Sequence, residues 1–75
     1  MINYYYTSDL CCASVLMLFS PLDSIDKNNP QKAIFIFKRD NNLEANLEAY
    51  WKGELQVEPR TFFNQIKYLK TRLYE

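Results

Sequence analysis

Residues 10–19 (Leu-Cys-Cys-Ala-Ser-Val-Leu-Met-Leu-Phe) put an apolar side chain at every position but one, and the run stops at Ser20-Pro21. A helix on the surface of a domain keeps a polar face, whereas one that is apolar all round is buried on more than one side. The segment therefore predicts either the central helix of the domain or an interface. It falls far short of the roughly 20 apolar residues that a spanning helix needs, and no basic residue precedes it as one would in an export leader. Neither a membrane anchor nor a signal peptide is expected. A chain of 75 residues makes one domain, residues 1–75, which buries only about 60 to 65% of its unfolded surface. A content of 48% hydrophobic and 16% aromatic residues offsets that handicap.

The flanking segments define the rest of the domain. Residues 2–6 suit a pleated surface and predict a strand, with Ile2, Tyr4 and Tyr6 on one face. Thr7 offers an N-cap hydroxyl and Asp9 a first-turn charge for a helix over residues 8–19, which Pro21 ends. Residues 22–26 form a short edge strand before the turn at Lys27-Asn28-Asn29-Pro30. Residues 33–37, Ala-Ile-Phe-Ile-Phe, are continuously apolar, the pattern of a central strand covered on both faces and lying between the other two. Asp40-Asn41-Asn42 caps a second helix, with Glu44 three residues after Asn41 in a capping-box relation and Leu43, Leu47 and Tyr50 facing inward. Gly53, the only glycine, ends that helix as a left-handed residue. Pro59 suits the first turn of a last helix, reaching to about residue 74, whose inner stripe is Phe62, Ile66, Leu69 and Leu73. The expected fold is α+β: a small three-stranded antiparallel sheet packed with three helices in the order β-α-β-β-α-α.

The chemistry open to this chain is narrow. It contains no histidine, the commonest general acid or base at neutral pH, activator of nucleophiles and metal ligand. Cys11 and Cys12 are adjacent and cannot clip a loop closed, and with no other Cys or His they make no structural zinc site. They read as two buried core thiols in a reducing cytoplasm. Asp23 and Asp26, with Asp9, match no cation-binding loop and read as solvated turn carboxylates. No catalytic residue, metal or cofactor is expected. Nine basic residues balance nine acidic ones, which speaks against a strongly basic nucleic-acid binder and against an acidic mimic. The balance is uneven along the chain, since residues 1–26 carry only acidic charges and residues 60–75 mainly basic ones.

The chain also resembles a family of short bacterial and phage-encoded proteins grouped as a domain of unknown function. The resemblance rests on Tyr5-Tyr6-Thr7-Ser8-Asp9-Leu10, Phe35-Ile36-Phe37, Tyr50-Trp51-Lys52-Gly53, Val57-Glu58-Pro59-Arg60 and Lys70-Thr71-Arg72-Leu73-Tyr74, in that order. This chain has Ser20-Pro21 where the family tends to have a glycine, and Glu58 where it tends to have an aspartate. The resemblance implies an association with bacteria, phages and mobile elements, and it implies no activity.

Two places suit a partner. Arg60, Phe63, Lys67, Lys70 and Tyr74 recur at i+3 or i+4 and line one stripe of the last helix, cations interleaved with aromatics. Tyr50 and Trp51 form a candidate aromatic interface, with core closure beneath the helix junction as the competing reading. The expected function is a non-catalytic protein-interaction module, an accessory or inhibitor subunit encoded by a phage or mobile element, with a protein partner or a second copy of itself. The alternative is a small nucleic-acid-binding module using the last helix.

Overall fold

The computed structural model describes residues 3–29 and 31–74. Ile2, the expected start of the first strand, and Pro30, of the expected turn, lie outside the described residues. The element order is β1 (Tyr4–Thr7), α1 (Leu10–Leu16), β2 (Ser24–Asp26), β3 (Ile34–Lys38), α2 (Asn41–Trp51) and α3 (Pro59–Leu73). The strands form one antiparallel sheet in the order β1-β3-β2, so the most apolar strand is central, as its composition predicts. The α+β class and the element order follow the sequence reading.

The interior is built around α1. Five consecutive residues, Cys12 to Leu16, are buried, more than one full turn, and the helix packs against α2, α3 and β1. It is therefore the central helix. Its single polar side chain, Ser14, is wholly enclosed and donates to the Leu10 carbonyl at 2.8 Å, which satisfies the hydroxyl inside the helix itself. Phe35 and Phe37 of β3, Leu43 and Leu47 of α2, and Leu69 of α3 complete the core.

Several sequence expectations are corrected. Thr7 is the last residue of β1, and the N-cap of α1 is Asp9, whose carboxylate accepts from the Cys11 and Cys12 amides at 2.9 and 3.4 Å. A charged acceptor suits the positive end of a helix better than a hydroxyl, and Thr7 instead accepts the Asp9 amide at 3.1 Å. The helix stops at Leu16, well before Pro21. Leu18 and Phe19 donate three residues back, to Val15 and Leu16, tightening the chain into a narrower turn that redirects it toward β2. Asn42 of α2 then secures this corner, donating to the Phe19 carbonyl at 2.9 Å and to the buried Ser20 hydroxyl at 3.2 Å.

The central strand is covered on one face only. Phe35 and Phe37 are buried, whereas Ile34 and Ile36 are only partly so and are not packed on the core. Alternation and register put Tyr4, Tyr6, Ile34, Ile36 and Lys38 on the opposite face from the helices. A run of isoleucine and phenylalanine carries no alternation to reveal this. On β1 the inward residue is Tyr5, and Tyr6 is 60% exposed.

Two helix ends complete the frame. Asp40 caps α2, accepting the Leu43 amide at 2.7 Å. Glu44 does not close a capping box with Asn41; its carboxylate pairs with the Arg39 guanidinium, a charged donor. At the other end Gly53 has φ +73°, its amide donates to the Tyr50 carbonyl at 3.1 Å and the Glu54 amide to the Ala49 carbonyl at 2.9 Å. These two bonds make a Schellman motif, as the lone glycine predicts. A Cβ at this position would meet nothing within 4 Å, so the cost of Gly53→Ala comes from the positive φ alone. It is expected to be about 1 kcal/mol. A thermal melt of the variant that matches or exceeds the parent would show that the left-handed turn is not held in solution.

Candidate interaction surface

Helix α3 is anchored at its start by Glu58, which accepts the Thr61 amide at 2.6 Å and the Thr61 hydroxyl at 3.0 Å. These bonds, with one from the Arg60 amide, hold the Glu58 carboxyl below the ordinary glutamate range by stabilising its charged form. Pro59 follows in the first turn, where no amide is required. Glu58 is therefore the N-cap of α3.

From that start α3 divides into two faces. Leu69 is fully buried, and Phe62, Ile66 and Leu73 are partly buried, Leu73 against the core cluster. The stripe beside it is the one the sequence singles out, and every member of it, Arg60, Phe63, Lys67, Lys70 and Tyr74, is exposed. Phe63 is 55% and Tyr74 89% exposed. The Lys67 ammonium sits 4.8 Å from the centre of the Phe63 ring, within cation–π range. Phe63, Pro59, Arg60 and Asn64 line an open hollow of about 430 Å³.

A second cation–aromatic pair flanks the inner stripe on its other side, outside the candidate residues that the sequence singles out. Arg72 donates to the Tyr68 hydroxyl at 3.0 Å and its guanidinium lies 5.7 Å from the ring centre. Their i, i+4 spacing on a helix was the available signal. The Lys27 ammonium, from the β2–β3 turn, donates to the Arg72 carbonyl at 3.0 Å. That contact joins residues 45 apart in sequence and no local pattern announces it. Lys27, Leu73 and Tyr74 share a cleft of about 340 Å³ with Asn29, Gln31 and Ala33.

The other candidate interface is split. Tyr50 packs against the core, whereas Trp51 is 64% exposed and meets Tyr50 edge-on, with ring centres 5.0 Å apart. Core closure thus describes Tyr50, and Trp51 belongs to the surface. The two candidate patches are carried by α2 and α3, which pack on the intervening α1.

The cysteines also differ from expectation. Cys12 is fully buried, but Cys11 is exposed, because the first turn of α1 points it away from the core. Burial raises the Cys12 thiol above its ordinary range, which suits an inert core group. A hydrogen bond to Cys11, reinforced by burial, raises the Tyr50 phenol. Of the aspartates, Asp9 caps α1, Asp26 accepts the Asn28 amide at 2.9 Å and Asp23 accepts the Ser24 hydroxyl at 3.3 Å. Each serves a local turn or cap, and among the described residues no cluster of His, Cys, Asp or Glu with metal-holding geometry occurs. No helix of the described residues is long and apolar enough to cross a membrane.

The fold and this surface define a small α+β domain with a helix layer on one side of its sheet and an exposed basic-aromatic helix face. The chain belongs to DUF5659, a domain of unknown function that matches it over residues 2–75. No curated protein and no solved structure matches it.

Proposed function

We propose that the chain is a non-catalytic protein-interaction module that docks through the exposed face of α3. The observation that carries this reading is the stripe Arg60, Phe63, Lys67, Lys70 and Tyr74, which leaves two aromatic rings in water on a helix whose inner stripe is already anchored by Leu69. Aromatic and arginine side chains are the groups that dominate binding at protein interfaces, and burying such rings on a partner recovers the cost of exposing them. Zero net charge favours a protein partner over a polyanion. The free thiols suit a reducing cytoplasm. The likeness of its motifs to short phage and bacterial chains favours an accessory or inhibitor subunit encoded by a phage or mobile element.

A nucleic-acid-binding module is the second reading, and the Lys67–Phe63 pair is the observation that favours it, since a cation beside an exposed ring suits phosphate contact and base stacking. The double variant Lys67→Gln/Lys70→Gln separates the two. The isolated chain is expected to bind neither single-stranded nor duplex nucleic acid at moderate salt. Partner capture from the native host, after nuclease treatment, is expected to survive the double variant and to fall by about 30-fold in affinity with Phe63→Ala. A micromolar, salt-sensitive complex with RNA or DNA, lost in the double variant, would reverse the ranking.

A further inference from the structure

The two edges of the sheet are unlike each other. β2 is three residues long, ends at Asp26 and is followed at once by Lys27, the short, charged edge by which folded proteins discourage strand pairing. β1, the opposite edge, reads Tyr-Tyr-Tyr-Thr and carries no charge, proline or glycine.

The register fixes which backbone groups of β1 are spent. Tyr4 stands opposite Lys38 and Tyr5 opposite Phe37, and the Arg39 amide donates to the Asn3 carbonyl at 2.9 Å. Bonded and non-bonded pairs alternate in an antiparallel ladder. Asn3, Tyr5 and Thr7 therefore turn their backbone groups toward β3, and Tyr4 and Tyr6 turn theirs to the open edge. The same two tyrosines project their side chains from the uncovered face of the sheet.

We propose that β1 pairs antiparallel with β1 of a second copy of this chain about a twofold axis at Tyr5, joining two three-stranded sheets into one of six strands. This register places Tyr4 opposite Tyr6 of the other copy, and the reverse, so the outward N–H and C=O groups of both residues are satisfied in four reciprocal hydrogen bonds. It also sets two tyrosine pairs side by side on the uncovered face, a stabilising cross-strand arrangement. The strand's own sequence is thus a fitting occupant of its edge, and zero net charge leaves two copies without mutual repulsion. A four-residue edge buries little beside the roughly 1,200 Å² of a stable interface, so the dimer is weak and depends on concentration.

Analytical ultracentrifugation of the full chain tests this. The weight-average mass is expected to climb from 9.0 kDa toward twice that value between about 10 µM and 1 mM. Tyr6→Pro removes an outward amide that the intramolecular ladder does not use, which is where an edge strand tolerates proline. It is expected to stay monomeric with an unchanged circular dichroism spectrum. Should the proline disturb the fold, Tyr4→Lys/Tyr6→Lys keeps the backbone intact and places like charges opposite each other, again giving a monomer. Mixing it with Tyr4→Glu/Tyr6→Glu should restore the dimer. A native chain that remains monomeric at 1 mM overturns the proposal, and so does a dimer that survives both variants.

Discussion

Phe37→Ala is expected to remove most of the stability of this domain. Phe37 lies on the central strand with none of its surface exposed, against the helix layer built on α1. Truncating a buried phenylalanine costs about 3 to 5 kcal/mol, because the cavity collapses only in part. A domain of this length holds roughly 4 to 11 kcal/mol in total. The melting temperature should therefore fall by about 15 °C or more, or the chain should be unfolded at room temperature. Ile36→Ala, one residue away on the uncovered face, is expected to cost only about 1 kcal/mol. Equal losses at the two positions, measured by thermal circular dichroism, would mean that the sheet is covered on both sides.

Leu69→Ala should also be strongly damaging. Leu69 is the only fully buried residue of α3 and holds that helix to the core. Its loss should cost about 2 to 5 kcal/mol, whereas Lys67→Gln and Lys70→Gln on the exposed stripe should each stay within about 0.5 kcal/mol. Urea midpoints read this difference directly. If Lys67→Gln were as destabilising as Leu69→Ala, the Lys67–Phe63 contact would be a structural brace and not a surface open to a partner. The comparison also decides whether binding data on the lysine variants can be interpreted at all, since a variant that unfolds reports nothing about contact.

The division of α3 into an inner and an outer stripe was legible because helical periodicity is a local property: Phe62, Ile66, Leu69 and Leu73 share one side whatever the tertiary fold. The same holds for the end of α2, where a chain with one glycine spends it at positive φ, and for the start of α3, where Pro59 follows a capping glutamate. Tyr68 with Arg72, four residues apart on the same helix, is legible by the same local spacing. Trp51 was harder to place. It neighbours Tyr50, but successive helical residues point about 100° apart, so one ring reaches the core and the other faces water.

Local sequence by itself determined the helix faces, the glycine turn, the number and order of elements, and the central position of β3. Each depends on side-chain periodicity, backbone preference or apolar content within a few residues. Tertiary structure alone decided that α1 ends at Leu16, where the chain must turn toward β2 and Asn42 from a distant helix secures the corner. It decided that the three helices pack on one face of the sheet, leaving Tyr4, Tyr6, Ile34 and Ile36 on the other, because a continuous apolar run supports either arrangement until the partners are in place. It also decided that Lys27 closes on the end of α3. Contacts across such distances depend on how whole elements pack, and no neighbourhood of the chain encodes them.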